Sequence, residues 1–257
     1  MTAVRRVHPD DQLTLVEHLD ELRWRIIIVL TVMVLAMGAC FWRSSELIRY
    51  LASPLPHSNG HPYKFLVTSP TEGFLTTVTI AIYAGLLLTL PVLTYQLYAF
   101  VIPAFSQQYH RTMRPLLMLI PGLFIGGVLF GWFLVMPPAL HFLVNYNDQA
   151  FHYQLKARDY IQFTILTLAA MGIVFELPVV MLVLGRLGIV TSDMMRRYWR
   201  IAVVVLAFVA VILPGTDPIT MIVEFIPLLV LYAISYVLVR FVERGRTDDE
   251  PEVWQSP

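Results

Sequence analysis

The chain has 257 residues, 57% apolar and 14% charged, with a mean hydropathy of +0.67 and a net charge of zero. A soluble domain carries about a quarter charged residues, so the composition excludes an ordinary soluble protein and points to a polytopic membrane protein in contact with a lipid bilayer. Zero net charge removes the basic surface that a nucleic-acid binder needs, and the single cysteine, Cys40, excludes an intramolecular disulfide or a thiolate metal cluster.

The N-terminal stretch is polar and no small-residue cleavage site follows, so no secretory signal is expected. Arg5-Arg6 is followed by Val-His-Pro-Asp-Asp and not by an apolar run, which makes it a cytoplasmic anchor and not an export signal. Segment 10–25 is amphipathic and sits at the mouth of the first span. Glu17 and Glu21 share one helix face with Asp20 beside them, and Glu21 can pair with Arg25 at i,i+4. Acids at a membrane surface where basic residues are the rule also suit a cationic ligand, and arginine best, because its planar fork matches a carboxylate.

Six spans are predicted: Ile26–Trp42, one within Gly73–Ile102, one within Pro115–Val144, Tyr160–Leu184, Ile201–Leu213 and Pro218–Val239. The fifth has thirteen apolar residues between Arg200 and Pro214, about 20 Å of helix against a hydrocarbon core of roughly 30 Å. It needs local thinning or burial by its neighbours. The connection from Pro214 to Pro218 makes a tight hairpin of the last two spans.

Thirteen arginines (5, 6, 23, 25, 111, 114, 186, 196, 197, 200, 240, 244 and 246) fall on one side of these spans, against Arg43, Arg49, Lys64, Lys156 and Arg158 on the other. Positive charge stays in the cytoplasm, so both termini are expected there. The outer segments 43–72 and 145–159 could together form a cap. The fold expected is thus all-α, one six-helix domain over residues 1–240 with a disordered cytoplasmic tail, 241–257. Pro91, Pro121, Pro178 and Pro227 bend or interrupt their helices and favour a curved bundle.

No catalytic pattern is present. There is no phosphate-binding loop and no zinc-protease pair. His57 and His61 are four apart among Pro, Ser, Asn and Gly, where a helix is not expected, and Ser235 lacks the context of a serine nucleophile. Neither an enzyme nor a cofactor is expected. Two carboxylates do lie at membrane depth, Glu176 in Phe175-Glu176-Leu177-Pro178 and Glu224 two turns into the sixth span. Each must face water or a partner, or stay protonated and bond a carbonyl freed by Pro178 or Pro227.

The stretch His18-Leu19-Asp20-Glu21-Leu22-Arg23 resembles the N-terminal signature of the TatC family, the core receptor of the twin-arginine protein translocase. The likeness continues through Ala52-Ser53-Pro54-Leu55, Ser69-Pro70-Thr71-Glu72-Gly73-Phe74 and the run Leu90–Ala104, then Phe175–Val179 and Leu213-Pro214 with Asp217. These blocks keep family order over roughly residues 14–240.

The resemblance implies six spans, cytoplasmic termini, short fifth and sixth helices and a concave, glove-like face in the inner membrane of a prokaryote. It implies binding of the twin-arginine signal peptides of folded proteins, in a multimeric complex. It also implies recruitment of single-span partners of the TatA and TatB kind, driven by the proton-motive force. By the same likeness Glu21 binds the signal's arginines with Arg23 and Phe100 close by, Glu176 lies on the concave face, and Pro54 belongs to the outer cap with Glu72 and Asp217 as structural residues. Three positions depart from the family pattern. Tyr109 stands where a second arginine-binding Glu is usual, leaving Glu17 or Asp20 as substitutes. Met221 replaces a polar Gln, so that Thr220, Met221 and Glu224 become the expected partner-helix contact. Thr79 stands where a Lys is common. A different class of function, a proton-coupled small-solute transporter using Glu176 and Glu224, would require an internal repeat that the chain lacks.

Overall fold

The computed structural model describes residues 15–55, 65–67, 69–101, 110–146, 155–214 and 217–247. Tyr109, His57 and His61 lie outside them, as does the side chain of Glu17. Among the described residues the chain forms ten α-helices, one π-helical turn and no strand.

Helix α1, Leu15–Trp42, runs unbroken from the amphipathic segment into the first span. A short helix α2, Ser44–Leu51, follows, then α3, Pro70–Val101, with Pro91 inside it. Ser69 caps α3, its Oγ accepting from the Glu72 N–H at 3.1 Å. With Pro70 at the first helical position and Glu72 at the third, this is the pattern of a capping box.

The third span is α4, His110–Phe130, continued through the π turn Gly131–Val135 into α5, Met136–Asn145. Pro137 and Pro138 have no N–H to offer the carbonyls one turn back, and the widened turn absorbs that loss. The fourth span, expected as one helix, is two: α6, Ala157–Val174, and α7, Leu177–Arg186. Pro178 cannot bond the Val174 carbonyl, and Phe175-Glu176 form the break.

Helices α8, Ser192–Arg197, and α9, Trp199–Ile212, lead to α10, Pro218–Thr247. Five segments are long and apolar enough to span a bilayer (His18–Trp42, Thr71–Phe100, Leu119–Asn145, Ala157–Arg186 and Pro218–Glu243), while Trp199–Ile212 is a shorter apolar helix. The helix expected as the fifth span, α9, is short, whereas α10, expected to be short as well, has 30 residues. The tail expected to be disordered from residue 241 begins as helix through Thr247. Val242 packs against the cluster of Ile120, Val179, Leu182 and Val183, and the Glu243 carboxylate accepts from the Ser192 N–H at 2.8 Å. Those contacts carry the helix past its apolar stretch.

Close packing uses small residues, as it must where lipid gives helices no hydrophobic reason to associate. A Cβ on Gly85 of α3 would stand 2.7 Å from the Met37 backbone, so α1 and α3 touch backbone to backbone. At Gly127 of α4 it would stand 2.5 Å from the Met171 carbonyl oxygen of α6. The largest core cluster joins Cys40, Leu51, Ile80, Trp132, Tyr160 and Ile161, and the Tyr160 hydroxyl donates to the Leu51 carbonyl at 2.7 Å. The two expected cap segments also meet, the Leu66 N–H donating to the Leu155 carbonyl at 3.0 Å. Three buried hydroxyls bond carbonyls of their own helices, Thr89 donating to Gly85, Thr164 to Tyr160 and Ser235 to Leu231, while buried Thr167 of α6 donates to the Pro214 carbonyl at 3.3 Å.

Gly126 and Gly127 provide a paired test of this packing. A Cβ on Gly126 meets nothing within 4 Å, so Gly126→Ala is expected to gain up to about 1 kcal/mol of helix propensity. Gly127→Ala, in the same helix, is expected to cost about 1–3 kcal/mol through forced separation of α4 and α6. Thermal unfolding in detergent should move in opposite directions for the two variants, and a shared direction would contradict the packing described.

Candidate functional site

His18, Glu21 and Arg25 recur at three- and four-residue spacing and so lie along one side of α1. That side faces the end of α3, where Gln96, Ala99 and Phe100 share a face by the same rule. Arg25 joins the two helices. Its Nη1 donates to Gln96 Oε1 at 2.8 Å and its Nη2 to the Ala99 carbonyl at 3.0 Å. Ala99 lies in the last turn of α3, whose carbonyls lack intrahelical partners, so the guanidinium also caps the negative end of that helix.

The same guanidinium holds Glu21. Nε donates to Glu21 Oε1 at 3.0 Å, and Nη2 donates to the same oxygen. The other oxygen, Oε2, stands 3.7 Å from His18 Nδ1, too far for a hydrogen bond. The His18 ring stacks on Phe100 with centroids 4.2 Å apart and planes 11° apart. The Glu21 side chain is 27% exposed and that of Arg25 21%, so the pair is neither dry nor fully solvated. Asp20 and Arg23 are exposed.

The structure therefore brings Glu21 and Phe100, two of the expected site residues, to one place. It adds three that the sequence argument did not put there. Arg25 was weighed only as an i,i+4 partner, and His18 and Gln96 only as letters of a motif. A signal was available for Gln96, since an amide inside an apolar span needs a partner.

Glu176 sits at the α6–α7 break, 4% exposed, and Glu224 is fully buried in α10. Among the described residues no oxygen of either carboxyl has a hydrogen-bond partner. Neither uses a carbonyl freed by Pro178 or Pro227, which was one of the alternatives open to each. Asp217 caps α10: its Oδ1 accepts from the Thr220 N–H at 2.8 Å and its Oδ2 from the Thr220 hydroxyl. Asp217 thus serves as the N-cap of α10. Pro54 is half-buried in the turn after α2, beside buried Leu55. Of the expected partner-helix residues, Thr220 and Glu224 are buried in the chain's own bundle and Met221 is half-buried. Groups of three or more His, Cys, Asp or Glu that could hold a metal are absent among the described residues.

Residues 17–227 match the family profile described as TatC, Sec-independent protein translocase protein. The chain is 36% identical over 238 residues to the chloroplastic Sec-independent protein translocase protein TATC of Oryza sativa subsp. japonica, covering 92% of this chain and 66% of that protein. It is 34% identical over 214 residues to the TatC protein of Synechocystis sp., covering 82% of each. It is also similar to a crystal structure of the twin arginine translocase receptor TatC, with a TM-score of 0.74 and 32% identity, covering 89% of this chain and 100% of that one.

A buried carboxyl without a partner lowers stability by its lost hydration. Glu224→Met, which keeps the volume and removes the polar atoms, is expected to stabilise the protein by about 1–3 kcal/mol. Thermal unfolding in detergent reads this directly. A loss of stability would mean that Glu224 has a bonding partner after all.

Proposed function

The chain belongs to the TatC family of Sec-independent protein translocase proteins, and from that membership and the geometry at the mouth of α1 we propose that it is the receptor for twin-arginine signal peptides. It is a membrane-spanning component of protein transport and not an enzyme. The observation that carries the receptor reading is the half-used carboxylate of Glu21. One oxygen is fixed by Arg25 and the other accepts no hydrogen bond among the described residues, next to the stacked rings of His18 and Phe100. A guanidinium can bond that oxygen edge-on while lying against an aromatic face.

The thirteen-to-five distribution of basic residues supports placing this end of the molecule, and both termini, in the cytoplasm. In a prokaryotic host the membrane would be the inner one. Exposed Asp20 is the natural site for a signal's second arginine, in place of the acid missing at Tyr109. Single-span partners of the TatA and TatB kind would dock on the outward faces of α9 and α10, where Phe208, Ile222, Ile226 and Val230 are exposed and Met221 is at the margin. Glu176, polar and almost covered at a helix break, is suited to a partner that offers it a hydrogen bond. The transporter reading has no support beyond the two buried carboxyls, and the family is one of protein transport.

The test is binding of a labelled twin-arginine signal peptide to the purified full-length protein. Glu21→Gln keeps the shape and removes the charge, and is expected to weaken binding by at least about tenfold, the scale of one charge-assisted hydrogen bond. Unchanged affinity would move recognition away from Glu21.

A further inference from the structure

We propose that Arg25 is the positioning residue of this site, fixing the Glu21 carboxylate through Oε1 so that Oε2 remains as the acceptor for a signal arginine. The inference rests on the reading of Glu21 given above and deepens it.

Arg25 has five N–H donors. Nε and one hydrogen of Nη2 serve Glu21 Oε1, the other hydrogen of Nη2 serves the Ala99 carbonyl, and one hydrogen of Nη1 serves Gln96. Four of the five are committed, two of them to a different helix. A guanidinium held in this way does not swing aside when a ligand arrives, which separates it from a removable stand-in for the ligand's own arginine. Both donors aimed at Glu21 converge on one oxygen. A carboxylate has about four acceptor sites, and among the described residues nothing bonds those of Oε2, since His18 stands back at 3.7 Å.

Charge points the same way. Glu17, Asp20 and Glu21 against Arg23 and Arg25 leave a net charge of only −1, so this turn has a weak net field with which to choose between two cations of equal charge. Selectivity then depends on where the free oxygen points, and that is set by Arg25. A lysine ammonium places one nitrogen where the guanidinium places three, and cannot reach Glu21, Gln96 and the Ala99 carbonyl together without a shift of α1 or α3.

The experiment measures affinities of a twin-arginine signal peptide and its twin-lysine form for full-length protein in detergent. The proteins are wild type, Glu21→Gln, Arg25→Lys and Arg25→Gln, each checked for a monodisperse, cooperatively melting state. Both Arg25 variants are expected to lose about tenfold in twin-arginine affinity and most of the preference for arginine over lysine. General loosening of the fold would reduce both peptides alike and leave the preference intact. Tighter binding by Arg25→Gln would overturn the inference by making Arg25 a competitor, and so would an undiminished preference in both Arg25 variants. If those results accompany a loss of binding in Glu21→Gln, only the role of Arg25 fails. If Glu21→Gln binds like wild type, the receptor site at Glu21 fails and this inference with it.

Discussion

One guanidinium determines the geometry where the first apolar span opens, at the junction of α1 and the end of α3. Arg25 stands where the first apolar span begins, and two of its donors are satisfied by reaching across to the end of the second. An arginine left unpaired at that depth would be costly, and the Ala99 carbonyl and the Gln96 amide would lose partners as well. The apposition of α1 and α3 that brings these groups together is built further along the span, where Gly85 lets the Met37 backbone come close. Packing near the middle of the membrane thus specifies where a carboxylate sits at its surface.

The rest of the bundle follows the same economy of backbone bonds. Prolines are placed where the chain tolerates a break: Pro178 separates α6 from α7, and Pro137-Pro138 follow a π turn. Glu176 lies in the first of these breaks and Glu224 in the seam that α10 makes with its neighbours. Both carboxyls are covered by protein and bonded to none of the described residues. Such groups destabilise a fold and persist where a working state of the protein uses them. Asp217 differs, because its two oxygens are both spent on capping α10.

Much of this was legible in the chain, for reasons that differ from residue to residue. Hydropathy alone found the membrane segments, including the shortness of α9, since length and composition are local quantities. The i,i+4 pair of Glu21 and Arg25 was legible for the same reason. The bonds from Arg25 to Gln96 and Ala99 were not, because they span 71 and 74 residues of sequence and depend on how two helices lie. Helix α2 was hidden within a proline-rich segment, and the helical start of the tail was hidden by its charge, although Phe241-Val242 keep an apolar character there. The depth of Glu176 and Glu224 could be read from position, but their want of a partner is a property of the packed bundle.

The central claim is that α3 acts on Glu21 through Arg25. A double-mutant cycle of Gln96→Leu and Glu21→Gln, read as twin-arginine peptide affinity, tests it most directly. The two residues do not touch each other through any bond described, so independent sites would give additive effects. The account predicts a coupling of about 1 kcal/mol: Gln96→Leu weakens binding when Glu21 is present and does nothing once Glu21 has been replaced. Additive losses would contradict it, and would leave Arg25 as a tie between two helices with no part in recognition.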